Sequence, residues 1–211
     1  MKKMPSLFIR EFEGHNITNI TNQVTKGCEW VLEGRGIATE KYDGTCCLIK
    51  NGKIYKRYDA KQGKIPPEGA IPCQDKPDPI TTHWPHWVEC KENEPADKYH
   101  LEAFNRLLRS ENLEGNPELL TEATYELIGP HFQTNPYNIS EDILIRHGMD
   151  ELLDFPKKRT FESIKEYLEN HNIEGIVFWE IPSWKNPKET RMCKIKRTDF
   201  GFIWNNKRSK R

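Results

Sequence analysis

The chain of 211 residues has no hydrophobic run that would span a bilayer, which needs about 20 consecutive apolar residues. It also begins without the pattern of a secretory leader, because "MKKMPSLFIREFEG" returns to charged residues after a short apolar stretch. Hydrophobic and charged residues make up 36% and 30% of the chain, and no repeat or low-complexity segment is present, as in folded globular proteins. We therefore expect a globular protein of the cytoplasm that has no membrane contact.

Three familiar catalytic motifs are also missing. The phosphate-binding loop G-x-x-x-x-G-K-[S/T], the dinucleotide-binding G-x-G-x-x-G and the zinc-binding H-E-x-x-H do not occur. A zinc site built from Cys73, His83, His86 and Cys90 is disfavoured, since its first gap is longer than zinc knuckles have, and ordinary loop residues are the better interpretation. Because the chain shows no secretory leader, we expect its six cysteines to be reduced thiols.

Charge of either sign is not in excess, because 32 Lys and Arg balance 32 Asp and Glu. The charge is nevertheless uneven, and residues 191–211 carry eight basic residues against one acid, Asp199. This segment is therefore +7, and the first 190 residues are −7. A cationic end on a neutral chain favours a polyanionic partner or a phosphate-bearing substrate, although for Lys207–Arg211 alone a solvated tail explains the charge equally well.

The strongest local signal is the dipeptide Asn51-Gly52, which separates the runs TCCLIK and KIYKRY. Asn-Gly between two such runs is typical of a two-residue type I′ hairpin. A two-residue turn pairs Lys50 with Lys53, and this register brings Arg57 back beside the turn at 41–44.

Other segments predict two helices and further strands. The segment Asp97–Gly115 has a capping residue, apolar side chains on one face and a terminating glycine, and 160–170 predicts a second helix capped by Thr160. The stretch 64–96 is rich in proline and turn residues, so it predicts a long surface excursion. Strands outnumber helices and arrive as hairpins, which predicts an α+β fold of antiparallel sheets. The additional strands are predicted at 123–129, 173–181 and 191–197.

Charged residues stand at the ends of the predicted strands, in the order Lys-x-Asp-Gly, Arg, Glu-Leu-Ile-Gly, Glu-Gly-Ile-Val and Lys-x-Lys. Taken singly, each would be a solvated surface charge. Taken together, from about residue 38 to 204, the series resembles the motifs of the covalent nucleotidyltransferases, which include RNA ligases, DNA ligases and mRNA capping enzymes. The segments TEKYDGTCC, YELIGPHFQTNPY, IEGIVFW and CKIKR most resemble the compact RNA ligase 1 family. The charged residues of the series are Lys41, Asp43, Arg57, Glu126, Glu174, Lys194 and Lys196.

The resemblance implies a single nucleotidyltransferase domain at 1–211, an ATP-grasp-like fold of antiparallel sheets flanked by helices. It implies a basic tail at 205–211 and no C-terminal oligonucleotide-binding (OB) domain, since only fifteen residues follow Lys196. The implied activity is that of an ATP-dependent RNA ligase, in which a lysine takes AMP from ATP, passes it to an RNA 5′-phosphate, and an RNA 3′-hydroxyl then displaces it. We expect a monomer that uses ATP, Mg²⁺ or Mn²⁺, and RNA with 5′-phosphate and 3′-hydroxyl ends.

The resemblance assigns the role of nucleophile to Lys41. A lysine must be a free amine to attack the α-phosphate, and its unperturbed pKa is about 10.4, so activation requires burial or nearby positive charge. Lys194 and Lys196 would supply that charge and would stabilise the phosphate oxygens in the transition state. Glu126 and Glu174 offer the hard oxygen ligands that Mg²⁺ prefers. The residues expected to bind the nucleotide are Glu40, Asp43, Gly44, Arg57, Glu126, His147, Lys194 and Lys196.

The contacts to the base and ribose depend on fewer signals. No Phe, Tyr or Trp stands in ILIRHGMD, where relatives place the aromatic residue that stacks on adenine. His147 is the candidate for that role, and Phe132 is the alternative. Glu40, next to the nucleophile, is expected to contact the adenine amine, and the fork of Arg57 suits a phosphate or ribose hydroxyls.

Three other functions compete with an RNA ligase. A capping-type guanylyltransferase shares the first step, but both it and a DNA ligase normally carry an OB domain after the Lys-x-Lys strand, which disfavours them here. The non-enzymatic alternative is a nucleic-acid-binding module with a decayed active site. The presence of all seven charged residues disfavours decay, because random drift would have spared few of them.

Overall fold

A computed structural model of the protein describes residues 4–14, 16–61, 64–79, 82–180 and 191–204. The predicted basic tail at 205–211 lies outside the described residues. The chain divides into two compact units. We call Asp43–His147 the central unit, and Met4–Tyr42 together with Gly148–Arg211 the terminal unit. The single domain at 1–211 stays a prediction.

Within the described ranges the structure has two α-helices and eleven β-strands, and the strands of each sheet pair antiparallel. The predicted α+β class with antiparallel sheets is therefore confirmed. Neither helix has the length and hydrophobicity to pass through a bilayer. In chain order the elements are β1 (Phe8–Glu13), β2 (Asn16–Val24), β3 (Ile37–Glu40), β4 (Thr45–Lys50), β5 (Lys53–Ala60), β6 (Ile71–Pro72), β7 (Trp84–Glu89), α1 (Lys98–Ser110), β8 (Ala123–Ile128), β9 (Ile143–Arg146), α2 (Phe161–Asn170), β10 (Gly175–Trp179) and β11 (Met192–Lys196).

The central unit is built on a six-stranded sheet of order β6-β7-β5-β4-β8-β9. Helix α1 contributes Phe104 and Leu108 to a buried cluster that also contains Ile49, Ile54 and Leu127 from the sheet. The apolar stripe of α1 thus has a sheet to pack against, as an amphipathic helix requires. One side of the sheet is fixed by this cluster.

The hairpin of β4 and β5 has the predicted register. Lys50 pairs with Lys53 across the turn, and the pairing continues to Cys47 opposite Lys56. Asn51 and Gly52 have φ values of 50° and 70°, the left-handed conformation that a type I′ turn needs at both positions. The prediction from the Asn-Gly dipeptide is confirmed.

The prediction of a surface excursion over 64–96 is wrong for Trp84–Glu89. These residues form β7, which lies between β6 and β5 and buries His86 and Trp87. The prolines around this strand hid it, because a proline cannot donate to a ladder and usually marks an edge or a loop. Pro85 is nevertheless paired opposite Asp59, and its carbonyl accepts a hydrogen bond from the Cys73 amide at 2.9 Å.

The predicted capping role of Asp97 is only partly realised. Asp97 does precede α1, but its side chain makes no capping hydrogen bond to the helix. Its carboxylate is buried and instead binds the Lys56 ammonium and accepts from the Lys91 amide at 3.0 Å. A buried carboxylate gains more from a cation than from one amide, so this tertiary contact replaces the local one.

The terminal unit contains the β1–β2 hairpin, a three-stranded sheet of order β11-β10-β3, and α2. Its core includes Trp30, Leu168 and Phe178, each 2% exposed or less. Helix α2 begins at the predicted cap: Thr160 Oγ1 accepts from the Ser163 amide at 3.1 Å, and the Ser163 hydroxyl accepts from the Thr160 amide at 2.9 Å. This reciprocal capping confirms the start of the second helix.

The chain near the N-terminus covers the free edge of β11. The Leu7 amide donates to the Lys194 carbonyl at 2.7 Å, and the Lys194 amide donates to the Pro5 carbonyl at 3.0 Å. Both backbone groups of Lys194 on this side are thereby satisfied, as buried backbone requires. The position of Lys194 is therefore fixed by β10 on one side and by residues 5–7 on the other.

Gly175 has no room for a side chain, since a Cβ there would lie 2.3 Å from the Ile195 carbonyl oxygen and 2.9 Å from Lys196 Cα. Gly175→Ala should therefore destabilise the fold by about 1–3 kcal/mol, because β11 must shift to admit the methyl group. Thermal unfolding followed by far-UV circular dichroism measures this. Gly115→Ala is the matched control, since nothing lies within 4 Å of its Cβ position. Equal melting temperatures for the two variants would contradict the close approach of β10 and β11.

Candidate active site

Four charged residues of the terminal unit meet at the ends of β3, β10 and β11. We call Lys41, Glu174, Lys194 and Lys196 the lysine cluster. Lys41 follows β3, and its amide donates to the Gly175 carbonyl at 2.9 Å, so the ladder with β10 extends one residue past the strand. Lys196 pairs with Gly175, which is the residue that directly follows Glu174. Lys194 and Lys196 are two residues apart on a strand and therefore share one face.

Glu174 lies between two of these lysines. Its Oε2 accepts from Lys41 Nζ at 2.5 Å and its Oε1 accepts from Lys196 Nζ at 2.7 Å. The Glu174 side chain is 4% exposed, against 19% for Lys41 and 34% for Lys196. A buried carboxylate needs paired charges and satisfied oxygens, and the two ammonium groups supply both.

Lys194 adds a third cation whose charged form is disfavoured. Burial, and then the positive charges of Lys41 and Lys196, lower the pKa of Lys194 to about 8. At neutral pH Lys194 is therefore still mostly protonated, but it loses its proton far more readily than an exposed lysine. A phosphate group would relieve this cost by adding negative charge beside three cations.

Lys194 predicts a pH dependence of stability. Its pKa is about 8 in the folded chain and near 10.5 when unfolded, so the unfolded chain binds more protons between these values. Stability contributed by Lys194 therefore rises with pH from about 8 to 10.5 and is lowest below 8. We expect the free energy of unfolding of the wild type, relative to Lys194→Met, to increase by up to about 1.4 kcal/mol per pH unit in this window.

Urea unfolding followed by tryptophan fluorescence between pH 7 and 10 measures this dependence. Lys61→Met is the control, because Lys61 is exposed and belongs to the central unit. The free energy of unfolding of Lys61→Met should change with pH in the same way as that of the wild type. If that of Lys194→Met also does so, Lys194 does not titrate in this window.

Glu40 lies beside the cluster, at the end of β3. Its amide donates to the Asp150 carbonyl at 3.2 Å, and the Tyr42 hydroxyl donates to the Asp150 carboxylate at 3.0 Å. Burial, followed by the charge of Asp150, raises the pKa of Glu40 to about 7. Near neutral pH this carboxyl can therefore present both an O–H donor and a carbonyl acceptor. Its predicted contact with the adenine amine stays a prediction.

Three other residues that were predicted to bind the nucleotide, Gly44, Glu126 and His147, lie together in the central unit. Glu126 Oε1 accepts from the Gly44 amide at 3.1 Å, and Glu126 Oε2 lies 3.0 Å from His147 Nε2. The second ring nitrogen of His147 lies 3.0 Å from the Thr124 hydroxyl. Gly44 allows this approach because a Cβ there would lie 2.3 Å from the Leu127 carbonyl oxygen. Because each ring nitrogen of His147 contacts a neighbouring side chain, the orientation of the ring is fixed. Its stacking on adenine stays a prediction.

The turn that follows Lys41 is held by a residue that the sequence did not single out. The Asp43 amide donates to the Tyr137 hydroxyl at 2.7 Å. Tyr137 is the last residue of the segment YELIGPHFQTNPY, which was given no role of its own, and its contact with Asp43 could not be foreseen from local spacing. Arg57, on β5, has its Nε 3.4 Å from an Asp59 carboxylate oxygen. The predicted nucleotide contacts of Asp43 and Arg57 stay predictions.

Cys46 is the second residue that the sequence left without a role. It pairs directly opposite Glu126 in the β4–β8 ladder, so the two side chains share a face of the sheet. Burial, and then the charge of Glu126, raises the pKa of the Cys46 thiol to about 12. Sequence reasoning missed Cys46 because only the pairing of β4 with β8 shows that it lies opposite Glu126. All six cysteines are free thiols, in agreement with the sequence prediction.

Part of the positive charge of 191–211 is used within the fold. Arg191 binds the carboxylate of Glu180, and the Arg197 guanidinium donates to carbonyl groups at the end of α2. These contacts leave less of the charge available to a polyanion. The predicted polyanionic partner therefore depends more heavily on the tail at 205–211, which the structure does not describe.

Comparison with known proteins gives one informative similarity. A protein of Rattus norvegicus named RNA ligase 1 is 25% identical over 272 aligned positions, which cover 96% of this chain and 82% of that protein. No family model matches the chain. The similarity extends along nearly the whole sequence, but at this identity it supports a relationship to RNA ligases only weakly.

Proposed function

We propose that this protein is an ATP-dependent RNA ligase that joins RNA 5′-phosphate and 3′-hydroxyl ends through AMP carried on Lys41. The observation that carries the proposal is the lysine cluster. A lysine of the Lys-x-Asp-Gly turn lies 2.5 Å from a buried glutamate, with two further lysines on the adjacent strand. The similarity to a protein named RNA ligase 1 supports the same class of reaction.

The first step is proposed as attack of Lys41 Nζ on the α-phosphorus of ATP. The N–P bond forms, the bond from the α-phosphorus to the bridging oxygen breaks, and pyrophosphate leaves with that electron pair. Lys41 must lose a proton, and Glu174 Oε2, at 2.5 Å, is in position to accept it. Lys196 would meanwhile retain its charge and stabilise the phosphate oxygens. Lys194 would contribute in the same way at pH values below about 8.

The later steps transfer and then release AMP. The RNA 5′-phosphate attacks the phosphorus of lysyl-AMP, which restores the lysine and gives an adenylylated RNA end. The RNA 3′-hydroxyl then attacks that end, forms the new phosphodiester and releases AMP. Both steps are displacements at phosphorus, so the same cations would serve each one. An RNA ligase therefore needs one cluster rather than three separate sites.

A divalent metal would supply further charge neutralisation for the phosphates. The donor sets around the two predicted metal ligands differ from the all-oxygen set that Mg²⁺ prefers. Each oxygen of Glu174 already accepts from an ammonium group, and Glu126 lies beside a thiol and an imidazole. The proposed steps therefore use the lysines and Glu174 alone, and the roles of Glu126 and Glu174 toward Mg²⁺ or Mn²⁺ stay predictions.

The test is incubation of the full chain with α-labelled ATP or α-labelled GTP and Mg²⁺, followed by a denaturing gel. We expect label from ATP on the protein, and ligation of a 5′-phosphorylated RNA when unlabelled ATP is supplied. Labelling by GTP alone would favour a capping-type guanylyltransferase. Joining of DNA ends but not RNA ends would favour a DNA ligase. No labelling by either nucleotide would favour the nucleic-acid-binding module and overturn the proposal.

A further inference from the structure

Cys46, Glu126 and His147 bring three different metal-binding atoms together on the central unit. The Cys46 sulfur, a Glu126 oxygen and a His147 nitrogen all lie within 4.8 Å of one another. These residues come from three neighbouring segments of one sheet, because Cys46 is on β4, Glu126 is on β8 and His147 directly follows β9. We call them the thiol–imidazole site.

The backbone pairing places all three side chains on the same face. Cys46 is directly opposite Glu126, and the His147 amide donates to the Thr124 carbonyl at 3.1 Å, which continues the β8–β9 ladder. Thr124 and Glu126 are two residues apart on β8 and share a face. The convergence therefore follows from strand register and does not depend on mobile loops.

Two of the proposed ligands, His147 and Glu126, are also positioned by hydrogen-bonding groups on the side away from the ion. The Thr124 hydroxyl lies 3.0 Å from His147 Nδ1 and leaves Nε2 directed toward Glu126. The Gly44 amide holds the other oxygen of Glu126 at 3.1 Å. Metal-binding histidines usually have their second nitrogen fixed by such a partner, which sets the tautomer and the ring orientation.

The distances suit a small tetrahedral ion. With Zn–N and Zn–O bonds of about 2.0–2.2 Å and Zn–S bonds of about 2.3 Å, ligand atoms lie roughly 3.3–3.7 Å apart. Glu126 Oε2 and His147 Nε2 are 3.0 Å apart, and the remaining separations in the site are below 4.8 Å. Small side-chain rotations are therefore sufficient to close the site around the ion.

The chemistry of the ligands selects among metals. Mg²⁺ prefers oxygen ligands, whereas thiolate and imidazole favour Zn²⁺. From these observations we infer that Cys46, Glu126 and His147 bind one Zn²⁺ ion, with a fourth position open to water. Three protein ligands with one open position are the usual arrangement of accessible zinc sites in enzymes.

A second group of potential ligands provides the comparison. Cys90, Asp97 and His100 also have ligand atoms within 4.8 Å of one another, but all three residues are buried. The Asp97 carboxylate there binds the Lys56 ammonium, so a cation would meet a positive charge already in place. Electrostatic repulsion and the absence of an open approach make this group the weaker zinc ligand set.

Zinc binding would have a consequence that rests on the proposed function. Glu126 and His147 are among the residues predicted to bind ATP, so an ion held by both would compete with the nucleotide. Micromolar Zn²⁺ should then inhibit protein adenylylation even with excess Mg²⁺ present, and a chelator should restore it. The binding measurement itself requires no activity.

The test is equilibrium dialysis of the metal-free full chain against Zn²⁺, followed by metal analysis, with Cys46→Ser, His147→Gln and Cys90→Ser alongside the wild type. We expect the wild type and Cys90→Ser to bind one ion each. The other two should lose more than the roughly 10–100-fold in affinity that a lost outer-sphere partner costs. Circular dichroism shows whether each variant is folded. Equal affinity in Cys46→Ser, or loss of binding only in Cys90→Ser, would overturn the inference.

A spectroscopic measurement on the wild type keeps the inference testable if a variant fails to fold. Co²⁺ in place of Zn²⁺ should show the intense near-ultraviolet absorption of a sulfur–cobalt bond, and added Zn²⁺ should remove it. Absence of this band at saturating Co²⁺ would exclude Cys46 as a ligand. A protein that binds Zn²⁺ but takes no label from ATP would support the site and overturn the proposed function. A protein that takes label from ATP but binds no Zn²⁺ would support the proposed function and overturn the zinc site.

Discussion

Lys41→Arg should abolish covalent labelling of the protein by α-labelled ATP. Arginine keeps the positive charge and can still bind Glu174, but it cannot supply a neutral amine. The unperturbed pKa values of lysine and arginine differ by at least about 2 units, so the neutral form is at least about 100-fold rarer in the variant. We therefore expect labelling to fall by about that factor or more, measured on a denaturing gel under single-turnover conditions.

The control is Lys53→Arg, because Lys53 is an exposed lysine of the central unit that pairs with Glu89 at 2.8 Å. It should be labelled like the wild type. Mass spectrometry of the labelled wild type should locate AMP on the peptide that contains Lys41. Label on Lys194, the lysine with the lowered pKa, would move the nucleophile to β11 and contradict the assignment. Undiminished labelling of Lys41→Arg would do the same.

Glu174→Gln should destabilise the protein and slow its adenylylation. The sequence analysis predicts Glu174 as a metal ligand, and its burial between Lys41 and Lys196 indicates that its loss also has a structural cost. Breaking a buried charge pair costs about 3–5 kcal/mol. Since both lysines retain some exposure, we expect about 3 kcal/mol, which corresponds to a melting temperature lower by roughly 6–12 °C. Labelling should fall even below the melting transition, because the proposed proton acceptor is gone.

Thermal unfolding and single-turnover labelling at 20 °C or below separate the two effects. Glu122→Gln is the matched control, because Glu122 forms an exposed pair with Lys50 at 3.2 Å, and such pairs contribute little. Adding Lys196→Met to Glu174→Gln should recover part of the lost stability, because it removes one of the unbalanced charges. A melting temperature of Glu174→Gln equal to the wild type would show that Glu174 does not balance the lysines.

Local patterns in the sequence predicted the parts of the fold that depend on neighbouring residues. The Asn51-Gly52 turn and the Thr160 cap are set by backbone conformation and by hydrogen bonds over a few positions, and both are confirmed. The strand β7 was missed, because the prolines around it outweighed the pairing with β5 that stabilises it. That pairing joins residues 24 to 34 positions apart, from Ala60 with Trp84 to Tyr55 with Glu89, which no local pattern records.

For the candidate site, the sequence identified most of the charged residues but not their environment. The motif series named Lys41, Glu174, Lys194 and Lys196, which the strand register brings together in the terminal unit. It could not show that Glu174 is buried between two lysines, because burial depends on how β10 packs. Cys46 could not be foreseen either. Its relation to Glu126 comes from the pairing of β4 with β8, strands separated in the chain by α1 and β7.

The division of the chain into a contiguous unit and an interrupted one has a consequence for biosynthesis. The ribosome releases Lys41 before the central unit and Glu174 only after it. The hairpin of β4 and β5 and helix α1 can form as soon as they leave the exit tunnel, since their contacts are local or lie within one continuous stretch. The sheet β11-β10-β3 must wait for its last two strands. A nascent chain arrested before residue 174 therefore carries Lys41, the proposed nucleophile, without the carboxylate that pairs with it, so the lysine cluster is assembled late in synthesis.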